Sequence, residues 1–303
     1  MTAPFTSLLL RWYRRHGRDL PWRRTCDPYA ILVSEVMLQQ TQVVRVIPKY
    51  GEFLKRFPNW SVLAAAELRD VLRIWSGLGY NSRARRLWEC ARAVLARYGG
   101  RLPNNVEGLR SLPGLGRYTA AALAVFAFGA REAAVDTNVR RVLSRALLGS
   151  EPSSTAAIWT TARELVPTRA GTWHHALMDV GALFCRATPA CEICPLQRGC
   201  RWAALSPAQR CRRMDLKNAV RGSRGSSGLV NSTAPYKGSR REHRGRLIRV
   251  LAGARSVRVR DLGPQVKDGF RATDLPWLLG LLEDLQRDGL VAFDRKRNLA
   301  RIA

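Results

Sequence analysis

The stretch "LRSLPGLGRYTAAALAVFAFG", residues 109–129, decides how this chain is read. A Leu-Pro-Gly-x-Gly turn runs straight into an apolar helix that begins at Arg117. Gly114 and Gly116 permit tight backbone geometry and leave amide groups uncovered. Such a turn at a helix N-terminus binds a phosphate without reading sequence. A plain helix–helix connection has the same composition, so the rest of the chain has to choose between the two.

With 303 residues and 46% hydrophobic content, the chain is long enough for one large domain plus a smaller one. Its net charge of +28 points to a polyanionic partner, nucleic acid before membrane surface. No apolar run approaches the length needed to span a bilayer. At the N-terminus, Phe5, Leu8, Leu9 and Trp12 fall on one helical face, and the basic residues follow the apolar run, the reverse of a secretory signal. The chain is therefore expected in the cytoplasm, associated with the nucleoid, as a monomer with no membrane contact. In that reducing compartment structural disulfides are disfavoured. This bears on "CRATPACEICPLQRGC", 185–200, which holds four of the seven cysteines at C-x5-C-x2-C-x5-C spacing. Four thiolates gripping a metal or a cluster are expected there in preference to a disulfide staple.

Residues 1–204 read as mostly helical, with 3.6-residue periodicity over 28–47, 82–97, 116–129, 139–148 and 173–185 and no alternating strand. Residues 205–240 read as a basic, Gly/Ser-rich linker. Thirteen Lys or Arg stand against two Asp or Glu over 201–250, so this stretch suits either a phosphate backbone or plain solvation. Residues 241–303 recover order as helices followed by a β-hairpin around a charged turn, a small winged-helix-like α+β unit.

Downstream of the hairpin, "AAVDTNVRRVLSR" places Asp136 twenty residues after Gly116. Together the two stretches resemble the helix-hairpin-helix DNA glycosylase superfamily, which contains endonuclease III and the MutY-type adenine glycosylases. The resemblance implies a mainly α, two-lobed fold whose hairpin (Leu112, Gly114, Gly116, Arg117 and Thr119) grips DNA. It implies a [4Fe–4S] cluster on Cys185, Cys191, Cys194 and Cys200, although the first cysteine gap is five residues where the family has six; zinc is the second choice for these ligands. "LPWRRTCDPYAILVSEVMLQQTQVVRVIPKY", 20–50, is similar to the adenine-glycosylase pattern, as are "WSGLGYNSRARRL", 75–87, and "HHALMDVGALFC", 174–185. On these matches Gln39, Gln40 and Tyr80 fill and wedge open the duplex. Trp22, Arg23 and Leu38 line the base pocket. The sequence departs from the family at Asn81, where a second aromatic is usual, and at Thr137, where glycine is usual.

The resemblance gives Glu35 the role of acid, Asp136 that of stabilising anion, and places Asn138 and Tyr118 beside them. Cutting a glycosidic bond in a duplex requires extruding the base, then protonating a poor leaving group. A carboxyl group in an apolar setting suits the proton donor, and Val33, Val36 and Leu38 surround Glu35 in sequence. An ionised Asp136 suits the developing oxocarbenium charge. Bifunctional relatives carry a Schiff-base lysine at position 118; Tyr118 cannot form an imine, which implies a monofunctional enzyme. The expected partner is double-stranded DNA containing a mispair, and the expected reaction is removal of adenine opposite 8-oxoguanine or guanine. A mismatch thymine or uracil glycosylase on the same scaffold is the alternative, and a non-catalytic DNA-binding protein a third. His174 and His175, at the start of a helix, read as capping or surface residues.

Overall fold

The computed structural model describes residues 2–150, 154–210 and 236–303. Cys211 and most of the expected linker, 211–235, lie outside the described residues. The chain divides into two compact units, each built from discontinuous segments.

The first unit takes Met1–Ile31, Asn104–Leu109 and Leu115–Val230. Its first helix, α1 (Thr2–His16), buries Phe5 and Leu9 on the face that the sequence pattern marked. These side chains enter a core supplied by residues far along the chain, among them Val139, Trp173 and Leu177. The unit also holds α8 (Arg117–Phe128), α9 (Thr137–Leu143), α10 (Thr155–Leu165) and α11 (Ala170–Leu183). Along the chain, α2 (Pro28–Leu38), α3 (Val43–Arg56), α4 (Trp60–Ala65), α5 (Leu68–Trp75), α6 (Ser82–Tyr98) and α7 (Val106–Arg110) fall between α1 and α8.

Helices α9 and α11 meet at Gly181. A Cβ there would sit 2.5 Å from the Cβ of Asn138, so only glycine allows this approach. Buried Asp179, also on α11, accepts bonds from Arg23 (2.8 Å) and Arg18 (2.7 Å). Burial pushes the Asp179 carboxyl up, but the Arg23 and Arg18 guanidiniums outweigh it and hold it below the usual carboxylate range. His174 is fully buried instead of lying at the surface. Its Nε2 accepts from the Ala134 amide (2.9 Å) and its Nδ1 faces the Ala170 carbonyl (2.8 Å), so both ring nitrogens are satisfied without solvent. Desolvation keeps it neutral, with its pKa down to about 4.

The second unit takes Leu32–Pro103, Arg110–Gly114 and Asn231–Ala303. The periodicity over 28–47 is not one helix: α2 stops at Leu38 and α3 starts at Val43, with Gln40 between them in the left-handed region at φ 55°. The apolar period continues through Val43, Val46 and Ile47, which is why the break leaves no mark in the pattern. Phe53, Phe57 and Trp75 form its aromatic core, with Phe53 edge-on to Trp75 at 6.0 Å. Across 240–303 the chain adds α12 (Arg240–Ala252), β1 (Val257–Arg258), α13 (Val259–Val266), α14 (Leu275–Arg287), β2 (Val291–Asp294) and β3 (Leu299–Ile302). The three strands are antiparallel in the order β1-β3-β2. The hairpin matches the sequence pattern; the two-residue β1 and the short α13 were too brief for periodicity to show. Arg73 of α5 donates to the Ala252 carbonyl at the end of α12 (2.9 Å), fastening this module to α5.

Candidate active site

In the second unit, Glu35 sits on α2 and is 8% exposed, with Val33, Val36 and Met37 buried around it on the same helix. Leu38 and Gln39 are half-buried, and Gln40 is exposed at the tip of the turn that follows. Tyr80 occupies a second turn; it is 41% exposed and has φ 47°. Non-glycine residues held in the left-handed region are uncommon, and such strain concentrates at functional sites. Of the three non-glycine residues in this region of backbone space among the described residues, Gln40 and Tyr80 belong to the DNA-facing set expected from sequence, and Asn298 lies in the turn between β2 and β3.

One side chain explains how the two turns are held. Buried Arg83, near the start of α6, donates to the carbonyls of Val36 (2.9 Å) and Met37 (2.9 Å) at the open end of α2, and to that of Gln39. Its other nitrogen reaches Thr41 Oγ1 (3.0 Å) and the carbonyls of Leu78 (3.2 Å) and Gly79 (3.1 Å). The two terminal nitrogens of a planar guanidinium, with four donors in a fixed fork, can serve both loops where a lysine could not. Burial lowers its pKa to about 10, still far above neutrality, so it stays charged. Within "NSRARRL" it looks like one more surface arginine, and sequence reasoning missed it.

The hairpin turn forms between α7 and α8. Gly114 has φ 80°, and a Cβ on it would meet the Arg86 Cβ at 2.9 Å, so two constraints require glycine. Arg117 and Gly116 are exposed. Leu112 and Thr119, expected in the DNA-gripping hairpin, have buried side chains. They pack the hairpin in place, and the first-turn amides of α8 remain without acceptors inside the helix.

In the first unit, Asp136 is the N-cap of α9: one carboxylate oxygen accepts from the Val139 amide (2.6 Å), the other from Asn138 Nδ2 (2.9 Å). Asn138 Oδ1 in turn accepts from Arg141 (2.8 Å), which also donates to the Gly181 carbonyl (2.7 Å) and to that of Cys185. Burial raises the Asp136 pKa, and the Val139 amide, Asn138 and Arg141 oppose it. Tyr118, at the start of α8, is half-buried against the core. Trp22 is buried in a 3-10 turn. Arg23, expected in the base pocket, has both terminal nitrogens engaged by Asp179 and a side chain only 8% exposed. Its charge is used to neutralise a buried carboxylate.

The four clustered cysteines line one small cavity, together with Arg145 and Trp202. The six described cysteines are all unpaired, which disposes of the disulfide staple within 185–200. Arg145 lies on a π-helical turn, Ser144–Leu148, that follows α9. It is fully buried, and its Nη1 is 3.6 Å from Cys185 Sγ. The buried Trp202 indole N–H finds no hydrogen-bond partner among the described residues. Four sulfur donors, a buried cation and an unsatisfied N–H suit an anionic thiolate-bound metal centre. As they stand, no three or more His, Cys, Asp or Glu among the described residues are arranged to hold a metal ion.

Residues 33–168 match the model for the HhH-GPD superfamily of base excision DNA repair proteins. An adenine DNA glycosylase from Mycolicibacterium smegmatis is 44% identical over 249 residues, covering 80% of this chain and 78% of that one. This chain belongs to the adenine DNA glycosylase family. The human adenine DNA glycosylase is 46% identical over 212 residues, covering 65% of this chain but 39% of the human protein, so the chain spans less than half the length of that relative. Among solved structures, a thermostable thymine-DNA glycosylase superposes with a TM-score of 0.63 at 34% identity, covering 67% of this chain and 96% of that one. Of the expected catalytic residues, Glu35 belongs to the second unit, and Asp136, Asn138 and Tyr118 to the first.

Proposed function

We propose that this protein is a monofunctional base-excision DNA glycosylase that removes adenine mispaired with 8-oxoguanine or guanine. The observation that carries the reading is the likeness to adenine DNA glycosylases over 249 residues, at 44% identity. Duplex DNA containing the mispair is the partner, and the cytoplasmic nucleoid the setting. The exposed hairpin at Gly116 and Arg117 and the net charge of +28 support backbone binding. Tyr80 and Gln40, held by strained turns, enter the base stack once the adenine is extruded.

Glu35 then delivers a proton to the departing adenine, and its seat among apolar residues of α2 keeps water from competing for that proton. Asp136, ionised and fixed by the Val139 amide and Asn138, faces the positive charge developing on the sugar. A water assisted by Glu35 completes the hydrolysis. Tyr118 supplies no amine, so the free base leaves and the sugar stays in the unbroken strand as an abasic site. Residues 241–303 form a winged-helix-like module after a basic linker, and 1–204 the catalytic part.

The test is a panel of duplexes with A·8-oxoguanine, A·G, T·G, U·G and A·T pairs, incubated with and without later alkali. Adenine release from the first two, with strand breaks only after alkali and no borohydride-trapped adduct, is expected. The likeness to a thymine-DNA glycosylase at 34% identity supports a second reading. Efficient release of thymine or uracil, with adenine untouched, would replace the first reading with that one.

Cys185, Cys191, Cys194 and Cys200 would hold a [4Fe–4S] cluster, with Arg145 offsetting its charge. When bound, the cluster ties the 185–200 loop together and takes no part in the hydrolysis. Anaerobically purified protein should contain about four irons per chain. Stoichiometric zinc without iron would refute the assignment.

A further inference from the structure

Within the second unit, α12 of the C-terminal module and the 76–82 turn enclose a cleft of about 820 Å³. Gln40 and Tyr80 open into it from one side. Six arginines line it (Arg45, Arg73, Arg240, Arg241, Arg244 and Arg249) against two acids, Asp284 and Asp288. The acids are already committed. Asp284 pairs with Arg240 at 2.5 Å, and Asp288 with Arg244. Arg241 and Arg249 are exposed and have no ion pair among the described residues. Arg241 instead donates to the Tyr80 hydroxyl (3.2 Å), with its guanidinium 5.3 Å from the Tyr236 ring centroid.

We propose that this cleft seats the sugar–phosphate backbone of duplex DNA beside the base step that Tyr80 enters, with Arg241 and Arg249 as phosphate contacts supplied by the C-terminal module. With Arg73 paired to Asp70, Arg240 to Asp284 and Arg244 to Asp288, the cleft keeps three arginines, Arg45, Arg241 and Arg249, whose charge an anion can neutralise. Its volume and its opening onto an exposed, strained tyrosine suit a polymer backbone that continues past the wedge. The chain's own 205–240 segment is a poor occupant, because it is itself strongly basic. The assignment of a base step to Tyr80 rests on the glycosylase reading; the affinity of the cleft for phosphodiesters does not.

The experiment measures binding of the full chain to a duplex carrying a tetrahydrofuran abasic analogue opposite guanine, as a function of salt. Each lost phosphate contact flattens the log K against log salt slope by about 0.9, so Arg241→Gln/Arg249→Gln should flatten it by about 1.8. A matched double variant, Arg258→Gln/Arg301→Gln, removes the same charge from exposed sites of the same module outside the cleft. It should leave the slope near wild type. An unchanged slope in the cleft variant, or equal flattening in the matched control, overturns the proposal. Adenine release measured on the same preparations separates the two readings. Release with an unchanged slope sinks the cleft alone, whereas a flattened slope with no adenine release sinks the substrate reading alone.

Discussion

Glu35→Gln should lower the single-turnover rate of adenine release by about 10²- to 10⁴-fold, the usual contribution of a positioned general acid. Binding to the same duplex should survive, because Glu35 is buried in α2 and an amide of equal size leaves the helix and its apolar neighbours in place. The amide has no proton to deliver to adenine. The loss should therefore fall on the chemical step and not on affinity. Asp136→Asn separates the second carboxylate: it keeps an N-cap acceptor through the amide oxygen but removes the negative charge that the proposed mechanism sets against the sugar. A Glu35→Gln enzyme that released adenine at near wild-type rate would remove this carboxyl from the mechanism.

The largest stability effect is expected at Arg83. Its Nη1 and Nη2 share four N–H groups among the carbonyls of Val36, Met37, Gln39, Leu78 and Gly79 and Thr41 Oγ1, charge-assisted bonds worth about 1.5–3 kcal/mol for each N–H before the cost of burying the cation. That cost is several kcal/mol, so four such bonds outweigh it. Arg83→Met saves the cation's desolvation but strands carbonyls at the end of α2 and in the Tyr80 turn. A net loss on the order of 3–5 kcal/mol follows, read as a lower denaturant midpoint with an unchanged slope. Arg83→Lys keeps the charge but has three donors for six acceptors, and should fall between the two. A midpoint for Arg83→Met equal to wild type would show that water satisfies those carbonyls.

The unequal legibility of the sequence has physical causes. Gly114, Asp136 and the four cysteines were readable because each has a local signature: a backbone that excludes a Cβ, an N-cap before an apolar helix, a ligand spacing. Arg83 and Asp179 were not readable, because their partners are backbone carbonyls or arginines more than a hundred residues away, and neither leaves a pattern nearby. The pairing of Arg23 with Asp179 is equally silent in the sequence, since nothing around Arg23 announces that partner. His174 looked like a surface residue because buried and exposed histidines at a helix start have the same sequence; only the Ala134 amide and the Ala170 carbonyl distinguish them. The break after α2 was hidden by apolar residues that keep the helical period across Gln39–Gln42.

The ion pair between Arg23 and Asp179 also sets an order of events during synthesis. The two residues lie 156 positions apart, and the α1 side chains Phe5 and Leu9 wait for core partners equally far downstream. At a ribosomal rate of about 5–20 residues per second, that interval lasts roughly 8–30 seconds. Throughout it the nascent N-terminal segment carries an uncompensated cationic, apolar surface. The second unit waits longer still: its Leu32–Pro103 segment emerges before the first unit can close, yet it has to await Asn231–Ala303, which is made only after the first unit is complete.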